Sequence, residues 1–442
     1  MTVKPSALKS RSVRKVAANA LPRAVESKRH YDVILYGATG FVGKQTAAYF
    51  AKNAGDLRWA IAGRDEAKLG ALRATLGLVA ARVGVIVADA SDAKALTQLA
   101  SQAHVVLSSA GPFALYGSRL VAACVARRTH YVDITGETPW VRKMIDRHQR
   151  QALTDGTRII PCCGFDSIPS DLGAWMAADA LMQQTGEPCV SVKACFSIRG
   201  GLNGGTFASL MNIMESGESE LFRQPFLLNP TRSVPSDESS HADPIVPHRD
   251  EDFRAWLGPF FMGPINTRVV RRSAALSLVD AKSPYAHDFH YQEYLRFGRG
   301  ITAALAAAGM SAGMCIGQNA TRFGVARRFA KMFAPAPGKG PSERSMNGGG
   351  FRCELIGKNA SGDQVHVTIA DRGDPGNRAT TKFLCEAAMA LAVNQKSLPG
   401  GTAFGGVLTP ASGLGNVLVK RLGAAGMKLD ISAIEKGAAR PR

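Results

Sequence analysis

YDVILYGATGFVG, residues Tyr31 to Gly43, is the stretch whose reading decides the fold. Val33 to Tyr36 is a β-favouring apolar run without helical periodicity. Gly37, Gly40 and Gly43 follow at three-residue intervals, and Lys44 to Lys52 suits a helix. A strand that turns sharply into a helix through glycines suits a dinucleotide pyrophosphate. The helix N-terminus offers unpaired N–H groups and a positive dipole end, and glycine lets the phosphates come close. The spacing is GxxGxxG rather than the usual GxGxxG, and 46 of 442 residues are glycine, so the three glycines count only with the flanking strand and helix. Gly37, Ala38, Thr39, Gly40, Phe41, Val42 and Gly43 are expected to hold the pyrophosphate.

The next apolar strand, Leu57 to Ala62, ends in Gly63-Arg64. NAD-binding chains place an acid here to accept from the ribose 2′-hydroxyl. Arg64 would instead grip a 2′-phosphate in a forked pair of hydrogen bonds, which predicts NADPH. Asp65, next to it, is the competing partner for the ribose.

Helix and strand then alternate: helix Asp65–Leu76, strand Val83–Ala88, helix Ser91–Gln102, strand His104–Ser109, helix Ser118–Arg128, strand Tyr131–Ile134 and strand Arg158–Cys162. Regular alternation with short loops predicts an α/β fold, a Rossmann-type doubly wound parallel sheet over residues 31–165. Ligands of such sheets lie at the carboxyl ends of the strands. Asp89 falls there, as cofactor ligand or as turn residue, and so do Ser109, Ala110, Gly111 and Pro112. Asp166 follows the last strand and precedes a helix that Pro169 opens.

Beyond that point the alternation stops, and a second α+β domain is expected over 166–378. Cys189–Ile198, Arg268–Leu278 and Phe289–Tyr294 read as β segments, and Phe351–Ile356 with Val365–Ala370 reads as a hairpin around Ser361-Gly362-Asp363. The Pro-, Ser-, Asp- and His-rich stretch near 222–256 reads as a lid insertion, and Pro335–Gly350 as a loop. A helix from Ala379 to Asn394 opens a C-terminal helical segment, 379–442, expected to pack back on the first domain.

Gly300 to Thr321 has no charged residue and carries Gly309, Gly313 and Gly317 as a GxxxGxxxG ridge. Ala and Gly dominate it and Gln318 and Asn319 lie within, so a buried or surface-lying helix is expected rather than a span. Arg322, Arg327, Arg328 and Lys331 follow, which favours peripheral contact of 300–331 with an anionic membrane face if it is exposed.

Across the chain, 45% hydrophobic and 20% charged residues are ordinary for a globular protein, whereas a formal charge of +19 is not. Residues 1–30 hold eight Lys or Arg against the single acid Glu26 and read as a basic disordered tail, with no apolar run for a secretory signal. Eight cysteines without a CxxC pair suggest neither a disulfide framework nor a zinc site, and fit a reducing, cytoplasmic setting. No metal and no nucleic acid is expected, and oligomeric state stays open. None of the eight tyrosines has Lys four residues on, so the Tyr–Lys pair of short-chain dehydrogenases is absent.

Taken in order, YDVILYGATGFVGKQTA, AGR at 62–64, SSAGPF at 108–113, YVDITGE at 131–137, GFDSIPSDLG at 164–173 and GGVLTPASGLG at 405–415 resemble saccharopine dehydrogenase-like oxidoreductases, closest to the trans-acting enoyl reductases. The resemblance runs from about Tyr31 to Arg421. It implies an NADPH-binding domain, a substrate domain and reduction of a C=C or C=O in an apolar, lipid-like or polyketide-derived small molecule. The alternatives are a dehydrogenase acting on an amino-acid adduct and a non-catalytic, membrane-associated nucleotide-binding protein. Reduction also needs a proton source. Asp166 is the candidate, with capping of the helix that Pro169 opens or fixing of the loop as its alternative and Tyr291 and Tyr294 as rivals.

Overall fold

The computed structural model describes residues 29–200, 219–230, 237–278, 282–320 and 340–437. Tail residues 1–28 therefore lie outside the described residues.

The first half alternates as β1 (Tyr31–Tyr36), α1 (Phe41–Asn53), β2 (Trp59–Gly63), α2 (Glu66–Ala74), β3 (Gly84–Val87), α3 (Ala93–Ser101), β4 (Ala103–Ser108), α4 (Phe113–Ala126), β5 (His130–Asp133), α5 (Thr138–Asp155) and β6 (Arg158–Ile160). The strands are parallel in the order β3-β2-β1-β4-β5-β6. That is the Rossmann order, reversing between β1 and β4, and the crevice at this switch point is where such sheets take a ligand. Val33, Ile34 and Leu35 in β1 and Val105, Val106 and Leu107 in β4 are fully buried, as strands covered by helices on both faces must be.

The second half contains α6 (Ile168–Thr185), β7 (Cys189–Arg199), α7 (Ser219–Arg223), β8 (His248–Asp250), β9 (Ala255–Pro259), α8 (Gly263–Ser277), β10 (Tyr285–Gly298), α9 (Ile301–Ala320), α10 (Glu343–Gly348), β11 (Gly350–Asn359) and β12 (Gln364–Arg372). It closes with α11 (Thr380–Val393), β13 (Gly406–Val407), α12 (Pro410–Ala424) and β14 (Lys428–Ile431). A second sheet runs β14-β12-β11-β7-β10-β9-β8 and is mixed, only β7 and β10 being parallel. The architecture is thus α/β, a Rossmann sheet joined to a second α+β unit. The C-terminal stretch serves both halves: α11 packs on α1, β4 and β5, β13 extends the first sheet beyond β6, and β14 edges the second.

The segment Arg268–Leu278, expected as β, is the helix α8. Val269-Val270 mimics a strand, but Pro264 in the first turn starts a helix whose arginines turn inward. Arg268, Arg271 and Arg272 are buried and donate to the backbone carbonyls of Arg223, Gln224, Pro225, Leu228 and His241. They pin the segment expected as a lid near 222–256, where Phe226, Leu227 and Leu228 are buried. Residues 231–236 of that segment lie outside the described residues. Part of the expected loop 335–350 is helical, as α10.

Candidate active site

The glycine turn is built for close backbone approach. Gly37 has φ +82, and a Cβ there would lie 2.9 Å from the Ala110 Cβ, so the turn after β1 presses against the turn after β4. A Cβ on Gly43 would overlap the Gly37 carbonyl, so the third glycine lets α1 start directly under the turn. Gly40 caps α1 without any side-chain hydrogen bond, and the first turn of α1 carries no acid. Its N–H groups and dipole are therefore left for an external anion.

Arg64 is exposed at the carboxyl end of β2, near enough to Asp89 to lower that acid's pKa, though Ser91 lowers it more. Asp65 turns to its own helix: its carboxylate accepts the Lys68 N–H at 3.0 Å and pairs with the Lys68 ammonium at 2.9 Å, capping α2. Asp89 likewise turns to Ser91, accepting its N–H at 2.8 Å and its hydroxyl at 2.6 Å. With both acids engaged locally, Arg64 is the exposed cation at this end of β2, a charge that suits a phosphate.

Ser109 lies against the glycine turn, its hydroxyl donating to the Gly37 carbonyl at 3.2 Å and its N–H to that of Tyr36 at 3.0 Å. Ala110 follows it, and the Gly111–Pro112 peptide, which is cis, leads into α4. The end of α4 is occupied by Glu137, a buried residue that the sequence reading did not single out. Its carboxylate accepts the N–H of Phe113 at 2.7 Å and of Ala114 at 3.0 Å. The two neighbouring helix N-termini thus differ: α4 is closed by a protein carboxylate, and among the described residues no side chain caps α1.

Asp166 lies just past β6, on the same carboxyl edge. A Cβ on Gly136 would lie 4.0 Å from its Oδ2 and 2.9 Å from Ile265 Cδ1, so the carboxyl and an apolar side chain of α8 both border the loop after β5. Protein encloses Asp166 on most sides while leaving it partly accessible, and burial raises its pKa to about 7. It accepts no hydrogen bond from any described residue, and α6 begins without a side-chain cap. The capping role weighed for Asp166 is not one it performs.

The other buried acids nearby have defined work. Asp133 Oδ1 accepts the N–H groups of Thr135 at 2.9 Å and Cys162 at 3.1 Å, holding together the ends of β5 and β6 where Cys162 sits at φ +63. Asp171 accepts from the Ser273 hydroxyl and, at 2.7 Å, from the Ala411 N–H, tying α6 to α8 and α12. Glu293 accepts from Ser170 at 2.7 Å, Tyr291 at 2.8 Å and Asn266 at 2.7 Å. The Tyr291 hydroxyl is thereby committed to Glu293, and that of Tyr294 to Gln292 at 2.9 Å, so both rivals of Asp166 are engaged elsewhere.

A parallel sheet in Rossmann order, a glycine-turned helix N-terminus without a side-chain cap and an arginine after the second strand fit NADPH. Residues 33–160 match the family model of the saccharopine dehydrogenase NADP binding domain. A provisionally named trans-acting enoyl reductase of Mycobacterium tuberculosis is 37% identical over 426 residues, covering 92% of this chain and 98% of its own length. The trans-acting enoyl reductase of Mycobacterium ulcerans is 35% identical over 417 residues, covering 91% and 97% respectively. A solved saccharopine dehydrogenase of Saccharomyces cerevisiae aligns over 91% of this chain and 99% of its own, with 15% identity and a TM-score of 0.49. The chain belongs to the saccharopine dehydrogenase-like oxidoreductases, in the group of the trans-acting enoyl reductases.

Proposed function

We propose that the protein reduces a carbon–carbon double bond conjugated to a carbonyl in a lipid-like or polyketide-derived substrate, with Asp166 as the proton donor. The observation that carries this reading is the state of Asp166: a carboxyl on the ligand edge of the sheet, bordering the loop after β5 together with Ile265, with its pKa raised to about 7 by burial. A carboxyl in that condition holds its proton on a large share of molecules at neutral pH and can give it up.

NADPH, when bound, supplies hydride to the carbon β to the carbonyl. The displaced electron pair moves through the α carbon onto the carbonyl oxygen, and Asp166 donates its proton at the α carbon. Asp133, with both strand ends in its grip, and Glu137, closing α4, keep the surrounding loops in register, so positioning and exclusion of water are the protein's main contributions. Ile265 supports an apolar substrate. The name of the relatives favours C=C over C=O, and the cysteine pattern favours the cytoplasm.

NADPH consumption with a long-chain trans-2-enoyl thioester tests the reading. Turnover that needs the double bond supports it. Turnover of saccharopine with NADP, and none of the enoyl thioester, would replace it with the amino-acid reading. Tight NADPH binding without reduction of any acceptor would replace it with the non-catalytic one.

A further inference from the structure

Helix α9, Ile301–Ala320, stands apart from the catalytic machinery and is unusual for a surface helix, because it has no charged residue. It packs on β9 and β10 through one narrow stripe, Ala303, Ala307 and Ser311, with the Ala307 Cβ 3.5 Å from where a Cβ on Gly258 would stand. Most of the other residues from Ile301 to Ile316 face outward. Ile301, Leu305 and Ile316 are 80%, 68% and 68% exposed, and a Cβ on Gly309 or Gly313 would meet nothing within 4 Å. A soluble surface helix normally turns a polar face to water. Here the outer face is apolar, and Gly309 and Gly313 of the glycine ridge stand open. Among the described residues no helix is long and apolar enough to cross a membrane.

We propose that α9 is an interfacial membrane-docking element, lying in the surface of an anionic bilayer with its outer face in the acyl boundary. Charge selects this occupant. From Tyr294 to Ser342 the sequence contains no acid and seven basic residues, and Arg299 stands exposed at the start of the helix. Basic residues beside an apolar helix bind the headgroups of anionic lipids while the helix takes up the acyl chains. The same charge would oppose packing of two copies face to face. A protein partner would call for aromatic or arginine anchors and a shaped pocket, whereas the outer face offers Ala, Gly, Leu and Ile on a convex rod. A fluid lipid surface needs no matching shape. A docked α9 would hold the second sheet at the membrane, where lipid-like molecules are concentrated.

Cys315 provides the probe, since it is exposed on α9 while the other seven cysteines are buried. The full-length protein, labelled at Cys315 with an environment-sensitive nitrobenzoxadiazole dye, is mixed with phosphatidylcholine vesicles containing about 30% phosphatidylglycerol, an anionic fraction that attracts basic segments. The dye should shift to the blue and brighten, and sedimentation with the vesicles should weaken as salt rises. Leu305→Asp with Ile316→Asp should cut vesicle binding about tenfold or more. NADPH affinity and melting temperature, measured on the same variant, should stay unchanged. An unshifted dye on vesicle-bound protein overturns the proposal, as does a double variant that binds like wild type. So does a dimer that the two substitutions dissociate while vesicles remain unbound, which would assign the face to a second copy of the chain.

Discussion

Glu137 Oε1 accepts the backbone N–H of Phe113 at 2.7 Å, so a carboxylate after β5 closes the helix that follows β4. Two stretches that read as separate motifs, SSAGPF and YVDITGE, are in this way one structure. The helix ends differ as a result: the dipole of α4 is satisfied internally, whereas that of α1 next to it meets no capping side chain among the described residues.

Gly40 and Gly43 should separate binding from folding. Gly40 has φ −70, and the nearest atom to an added Cβ is the Gly37 carbonyl oxygen at 3.3 Å. Gly40→Val should therefore fold, while filling the space over the α1 N-terminus. NADPH affinity should fall by about two powers of ten, or ~3 kcal/mol, in a fluorescence titration. Gly43→Ala places a Cβ against the Gly37 carbonyl and 2.8 Å from Ala38, so it should lower the melting temperature as well. Unchanged NADPH affinity in folded Gly40→Val would remove the assigned pyrophosphate site.

Arg64→Ala should weaken NADPH far more than NADH. A hydrogen bond to a charged group contributes about 1.5–3 kcal/mol, so the preference should drop by about one to two powers of ten. Because Asp65 and Asp89 are held by Lys68 and Ser91, the variant should not become an NADH enzyme by default. Equal losses for both cofactors would make Arg64 a structural residue.

The pH dependence of stability should show the burial of Asp166. Asp133, Asp166, Asp171 and Glu293 all have pKa values raised to about 7 by burial. Between about 4, the usual range for these groups when unfolded, and about 7, the folded chain keeps protons the unfolded chain has lost. These groups therefore make stability fall as pH rises through that window and level off above it. His130 and His241, with pKa values lowered to about 3 and about 4, act in the opposite sense up to about 6.5, where a free imidazole loses its proton. The difference between wild type and Asp166→Asn isolates the one carboxyl. The variant loses no described hydrogen bond at this site, so it should melt above wild type at pH 8 and alongside it at pH 4. An equal offset at both pH values would show that Asp166 is not held with a raised pKa.

How much was legible depended on how local the determinant was. Gly37 to Gly43, the strand before them and the helix after them lie within 23 residues, Tyr31 to Asn53, and the parallel sheet followed from the alternation. Arg268, Arg271 and Arg272 looked like the polar side of a β segment. In the structure they reach carbonyls some forty residues earlier in the chain, a pairing no window could show. Helix α5, from Thr138 to Asp155, went unread beside the strands that frame it. The two-residue strand β13 and the edge strand β14 exist only through partners about sixty or more residues away in the chain. At the site, the residue types could be read but not the directions of their carboxylates. Asp65 and Asp89 turn back to their own helix and turn, Glu137 reaches α4, and Asp166 alone stays without such a partner among the described residues.

The central claim is enoyl reduction by hydride from NADPH with a proton from Asp166, and isotopic labelling tests it most directly. Wild type is given a trans-2-enoyl thioester with NADPH deuterated at either face of C4, and the product is read by mass spectrometry from pH 6 to pH 9. One of the two labelled cofactors should place a single deuterium at the β carbon, and the rate should fall as pH rises through about 7, where Asp166 loses its proton. Asp166→Asn should bind NADPH normally, transfer the same deuterium about two to four powers of ten more slowly, and lose that pH dependence. Unlabelled product from both cofactors, or an Asp166→Asn variant with wild-type rate and the same pH profile, would contradict the account.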